Sequence, residues 1–71
     1  MNKSKSNSKI AGNVKKLRRK RGISQDRLSK LADLSLNTVS NMESGFNPNP
    51  TIETLLKVAN ALDVGVDDLI K

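Results

Sequence analysis

The chain has 71 residues, no cysteine, no histidine and a net charge of +6. This length suits one domain with a small core, and without cysteine neither a disulfide nor a thiolate metal site can brace it. No apolar run reaches the roughly 18 residues of a membrane span, and the N-terminus lacks the apolar stretch of a signal peptide. Histidine, the side chain that usually transfers protons near neutral pH, is missing. We expect a soluble, cytoplasmic, non-enzymatic protein without a cofactor, a metal or a small-molecule ligand.

The charge is divided unevenly along the chain. Residues 1–30 hold eleven Lys or Arg and one acid, a charge of +10, whereas residues 31–71 hold two Lys and six acids, a charge of −4. This asymmetry indicates a polyanion as partner on one side of the molecule. An ordinary solvated basic face is the alternative.

The first thirty residues predict a basic arm followed by a helix. Residues 1–8 are mainly Ser, Asn and Lys without apolar periodicity, so we predict that they are disordered. The first helix should run from about Lys9 to Lys20 and end at Gly22. Its apolar stripe consists of Ile10, Val14 and Leu17.

Two short helices joined by a turn are predicted next. Ser24 is a good N-cap for the second helix and Ser35 for the third, which should extend to about Ser44. Asp33 lies in the turn, and Gly45 ends the third helix. The residues predicted to face the core are Leu28, Leu31, Ala32, Val39 and Met42.

The last third of the chain predicts a core helix and a final helical turn. Residues 46–50 form a loop with two prolines, Thr51 caps the fourth helix, and Gly65 separates it from a last turn over residues 66–70. The fourth helix has a broad apolar face composed of Ile52, Leu55, Leu56, Val58, Ala59 and Leu62.

Motifs spread over about sixty residues match one known pattern. They are KKLRRKRG at 15–22, SQDRLSKLA at 24–32, LSLNTVSNME at 34–43, TIETLLKVANAL at 51–62 and VGVDDL at 64–69. The chain resembles the helix-turn-helix domain of lambdoid phage repressors, Cro proteins and Xre-type regulators. The resemblance implies an all-α, compact five-helix lambda-repressor-like domain over residues 9–71 that binds double-stranded DNA. Ser29 and Asp33 stand where the family usually has Ala and Gly, and neither threatens the fold.

The third helix would supply the contacts to bases. With Val39 inward, Asn37 and Asn41 point outward together one turn apart, and Asn can form two hydrogen bonds with adenine. The resemblance adds Leu36, which suits a thymine methyl, and Thr38 is a weaker candidate.

Other polar residues would contact phosphates. The resemblance implies this role for Gln25, which stands at the start of the second helix. The basic residues among the candidates can equally be solvated. The further candidates are Ser35, Ser44, Asn47, Asn49, Arg19, Lys16 and Lys9, with Lys3 and Lys5 in the arm.

The resemblance further implies an ion pair inside the domain and a dimer on DNA. Arg18 and Glu43 match family positions that pair with one another. A homodimer on a palindromic operator would place its half-sites about 34 Å apart.

The candidates for a dimer interface are apolar residues of the second half. We favour the core for Val66 and Leu69, whereas Phe46 is either an interface contact or a loop anchor. The full set is Phe46, Val64, Val66, Leu69 and Ile70.

Two other functions remain open at this point. The same fold serves as an antitoxin or protein-interaction module, and the basic segment 1–21 suits non-specific binding to polyanions or anionic membranes. The predicted function is a transcriptional regulator, a repressor or Cro-like protein, that reads the major groove.

Overall fold

Five helices and no strand make up the described part of the chain, in agreement with the predicted fold class. The computed structural model describes residues 4–47 and 49–71, with side chains from residue 9 onward. The helices are α1 (Ser4–Lys20), α2 (Gln25–Ala32), α3 (Leu36–Ser44), α4 (Ile52–Leu62) and α5 (Val66–Ile70).

The first helix begins at Ser4 rather than near Lys9. The prediction followed the apolar stripe, which locates the part of a helix that packs on the core but not the turns that extend beyond it. Adding residues to an existing helix requires no new nucleus, so polar residues can continue it. Residues 1–3 of the predicted arm, which include Lys3, and the side chain of Lys5 lie outside the described residues.

Each predicted N-cap carries its hydrogen bond. The hydroxyl of Ser24 accepts from the Arg27 backbone N–H at 3.0 Å, and the hydroxyl of Thr51 accepts from the Thr54 backbone N–H at 3.1 Å. Ser35 caps α3 in the same way. These bonds satisfy donors that a helix start otherwise leaves without a partner.

Two aspartates end helices in the left-handed conformation. Asp33 and Asp63 both have φ of 59° and follow α2 and α4. Gly65, the predicted break after α4, is instead the N-cap of α5. Asp tolerates the left-handed region better than most residues with a Cβ, so an acid can end a helix where Gly is expected.

The core lies where α1, α2 and α3 meet α4 and α5. Helix α3 packs on α1 and α2, and α5 packs on α1 and α4. Leu69 is fully buried and Val66 packs against the core, as predicted. The buried core consists of Val14, Leu28, Val39, Met42, Leu55, Val58, Ala59, Leu62 and Leu69.

Three leucine and isoleucine side chains predicted to be buried are exposed. Leu31 and Leu56 are each 49% exposed and Ile52 is 66% exposed. On α4 the core takes only the side that carries Leu55, Val58, Ala59 and Leu62, so the predicted face was too broad. Apolar character alone does not determine which side of a wide apolar stripe packs against another helix.

No helix in the described part of the chain combines the length and the apolar character that crossing a membrane demands.

Candidate nucleic-acid interface

Helices α2 and α3 are joined by a tight turn over residues 33–35. The Leu34 backbone N–H donates to the Ser29 carbonyl at 2.8 Å, and Leu34 packs against the core. Ser29 itself is buried, and its hydroxyl donates to the Asp26 carbonyl at 2.6 Å. The small side chain therefore permits close helix packing and leaves no polar atom without a partner.

Helix α3 buries one side and leaves the other open. Val39, Met42 and Glu43 are buried, whereas Leu36 and Asn37 are exposed and Asn41 is half-buried. The predicted base-contacting residues thus lie on the part of α3 that does not face the core.

Two polar side chains at the ends of α3 already have partners. The Ser35 hydroxyl accepts from the Thr38 backbone N–H at 3.0 Å and shares a hydrogen bond with the Thr38 hydroxyl at 2.8 Å. The Ser44 hydroxyl donates to the Asn41 carbonyl at 3.1 Å and accepts from the Phe46 backbone N–H at 3.2 Å. The hydroxyls of Ser35 and Ser44 therefore bond to the backbone at the two ends of the helix, and the Thr38 hydroxyl bonds to that of Ser35.

A buried carboxylate connects α3 to the two preceding helices. Arg18 Nε donates to Glu43 Oε2 at 2.6 Å and Arg18 Nη2 to Glu43 Oε1 at 3.0 Å. Gln25 Nε2 donates to the same Oε1 at 2.9 Å, and Arg18 Nη1 donates to the Ile23 carbonyl at 2.8 Å. We call Arg18, Gln25 and Glu43 the Glu43 network. It fixes the orientation of α3 relative to the start of α2.

The charges of this network reinforce one another. Burial raises the pKa of Glu43, but hydrogen bonds from Arg18 and Gln25 and the positive charges of Arg18 and Lys15 outweigh burial, so the pKa lies below its ordinary value. The hydrogen bond to Glu43 raises the pKa of Arg18. Both groups are therefore charged at neutral pH.

The Glu43 network positions the Gln25 side chain but does not use both of its hydrogen-bond donors. A side-chain amide has two N–H donors, and Glu43 accepts from the nitrogen of Gln25. The side chain is half-buried at the start of α2. One donor can therefore still be directed toward a phosphate.

The remaining predicted phosphate contacts are exposed and spread over several elements. Lys9, Lys16 and Arg19 lie on α1 with exposed side chains. Asn47 is exposed in the loop after α3, where its backbone N–H donates to the Asn41 carbonyl at 3.1 Å. Asn49 is exposed in the same loop.

Sequence reasoning missed two contacts that α1 makes with the C-terminal helices. Arg21 Nη1, just after α1, donates to the Leu62 carbonyl at 3.0 Å, and Asn13 Nδ2 donates to the Leu69 carbonyl at 2.9 Å. Both satisfy carbonyls near helix ends. No local pattern signals them, because the partners are 41 and 56 residues apart.

Two packed helices, a short turn and an open polar side on the second helix define a helix-turn-helix DNA-binding domain. A family model described as helix-turn-helix matches residues 14–69. The chain belongs to the Xre/Cro-like helix-turn-helix family, and it is a DNA-binding regulator.

A solved structure supports the same assignment. The chain is similar to the restriction-modification controller protein C.AhdI from Aeromonas hydrophila, with 32% sequence identity and a TM-score of 0.84. The match covers 89% of this chain and 94% of that one. No curated protein matches the chain.

Proposed function

We propose that this protein regulates transcription by inserting α3 into the major groove of a specific operator, where it acts as a homodimer and as a repressor. The observation that carries the proposal is the exposure of Leu36 and Asn37, with Asn41 beside them, on a helix whose opposite side is locked by the Glu43 network. A rigid helix with free amides can discriminate bases because its side chains need little reordering on binding.

Each side chain has a chemical task in this proposal. Asn37 and Asn41 donate to and accept from adenine at N7 and N6, and Leu36 contacts a thymine methyl. Gln25 and the backbone N–H groups at the start of α2 bind phosphate. Base contacts confer sequence preference, whereas phosphate contacts set the position of the domain on the duplex.

The similarity to C.AhdI suggests the kind of regulation. That protein is a restriction-modification controller, and we propose that this chain is likewise a small controller that acts by binding DNA, in the cytoplasm and without catalysis. Its operator would then lie near the genes that it controls.

Asn37→Ala and Asn41→Ala test the assignment of base contacts. Each should weaken binding to a selected duplex about 5- to 150-fold, because a bidentate contact contributes roughly 1–3 kcal/mol of discrimination. Fluorescence anisotropy with the selected duplex and with duplexes changed at single A·T pairs measures both affinity and preference.

Asn60→Ala is the matched control, since Asn60 is also exposed but lies on α4. It should bind as the wild type does, and all three variants should melt at the wild-type temperature. Wild-type affinity and preference in both α3 variants would show that α3 is not the element that reads the bases.

A further inference from the structure

A cleft lies where the end of α1 meets the end of α4. Its volume is about 510 Å³, within the usual range for sites that hold small molecules, roughly 300–1,000 Å³. Arg21 Nη1 donates to the Leu62 carbonyl at 3.0 Å and so joins the two helix ends. None of the lining residues belongs to the proposed contacts with DNA. They are Leu17, Lys20, Arg21, Leu62, Asp63 and Val64.

The cleft carries charged groups of both signs. Lys20, Arg21 and Asp63 are exposed, and the ion pairs in the described part of the chain involve none of these side chains. A guanidinium has five N–H donors, so Arg21 can bind an oxyanion while it keeps its hydrogen bond to Leu62. Two cations and one carboxylate are therefore available to the same ligand.

The remaining lining of the cleft suits an aliphatic group and an ammonium. Leu17 and Val64 are half-buried, so part of each side chain stays open to the cleft. Asp63 is the C-cap of α4, and the carbonyls at the end of a helix add partial negative charge beside it. A cationic group is thus favoured at this end of α4.

We propose that this cleft binds a free amino acid with an aliphatic side chain, held as its zwitterion. Lys20 and Arg21 bind the carboxylate through charge-assisted hydrogen bonds, Asp63 binds the ammonium, and the side chain packs on Leu17 and Val64. A simple anion would meet the charge of Asp63, and a simple amine would meet the two cations. Only a ligand with both charges satisfies all three groups.

The inference goes beyond the proposed function, because it adds a ligand to a chain for which the sequence predicted none. The cleft leaves no local pattern in the sequence, since Arg21 and Leu62 are 41 residues apart. Only the packing of α1 on α4 brings the lining together.

An NMR titration of the isotope-labelled protein with L-leucine, without DNA, tests the site. Saturable shifts should appear in the backbone amides of residues 17–22 and 61–65 and not in those of α3. Isocaproate, which lacks the ammonium, and isoamylamine, which lacks the carboxylate, should each bind about fivefold more weakly or worse, because each loses one ion pair. Absence of saturable shifts at the cleft, or isocaproate binding as tightly as leucine, would overturn the proposal.

Asp63→Asn and its matched control Asp33→Asn test the acid. Both aspartates end helices with φ of 59°, and Asn tolerates this conformation well, so both variants should fold. Asp63→Asn should weaken leucine binding about fivefold without changing the binding of isocaproate, whereas Asp33→Asn, outside the cleft, should bind leucine as the wild type does. Equal affinities for leucine in the two variants would contradict the assignment of Asp63.

Lys20→Gln and Arg19→Gln test the cationic side in the same way. The two residues are neighbours and both are exposed, but only Lys20 lines the cleft. Lys20→Gln alone should weaken leucine binding, and an equal loss in both variants would show that general charge rather than a site is responsible. Because no DNA is present and no proposed DNA contact is changed at the cleft, failure of these tests leaves the proposed function intact.

Discussion

Glu43 is the residue through which three helices are joined. Its backbone belongs to α3, while its carboxylate accepts from Arg18 on α1 and from Gln25 on α2. The Glu43 side chain is 1% exposed and that of Arg18 is 12% exposed, so removing one partner leaves the other charge largely buried. The main role of the Arg18–Glu43 ion pair is to fix the position of α3, and its contribution to the charge of the surface is smaller.

We expect Glu43→Gln to lower the free energy of unfolding by about 1.5–3 kcal/mol at neutral pH, because it removes hydrogen bonds to a charged acceptor. The pKa of Glu43 is depressed in the fold. The stabilisation is therefore complete above the ordinary Glu pKa, about 4.3, and is lost as the pH falls through that value toward the lower folded pKa. Urea unfolding over an acid series measures the effect.

Glu53→Gln serves as the control, since Glu53 is largely exposed. Its stability difference from the wild type should stay small at every pH. The interpretation of Glu43 fails if the gap between the wild type and Glu43→Gln does not narrow in acid.

Individual contacts could be predicted only where a pattern or the family resemblance supplied both partners. The pairing of Arg18 with Glu43 followed from matching family positions, and the structure adds Gln25 to the same carboxylate. Arg21 and Asn13, in contrast, bond to carbonyls far along the chain. Such contacts depend on how helices cross, which side-chain chemistry alone does not specify.

The helix ends show how much of an element is encoded locally. The N-caps were predictable because a capping side chain bonds to a backbone N–H only three residues later. They are Ser24, Ser35 and Thr51. The start of α1 was not predictable, since polar residues can lengthen a helix without a signal in the apolar stripe. The exposure of Leu31 and Leu56 was missed because burial depends on neighbouring elements.

The two aspartates in the left-handed conformation provide a prediction about the stability of the helix ends. Asp33→Gly and Asp63→Gly should each raise the free energy of unfolding by up to about 1 kcal/mol, because glycine adopts positive φ without a Cβ clash. Thermal and urea unfolding measure the gain.

Lys16→Gly is the corresponding control inside a helix. Lys16 is exposed on α1, so the substitution should lower stability by about 1 kcal/mol through lost helix propensity. Destabilisation by both aspartate variants would show that their side chains contribute more at the helix ends than the strained backbone costs.

The whole molecule combines a basic N-terminal half with an acidic C-terminal half. Helix α1 ends in Arg18, Arg19 and Lys20, whereas the first turn of α5 contains Asp67 and Asp68. The fold class and the family could be predicted because matching motifs extend from 14 to 69. The exposure of Ile52 and Leu56 could not be predicted, since the sequence assigned both residues to the core.

The central claim is that α3 reads a defined DNA sequence, and selection of binding sites from random duplexes tests it most directly. The wild type should enrich a pseudo-palindrome with half-site centres about 10–10.5 base pairs apart, and Asn37→Ala with Asn41→Ala should lose preference at A·T positions in each half. Enrichment of no sequence, or of the same sequence by the double variant, would contradict the account.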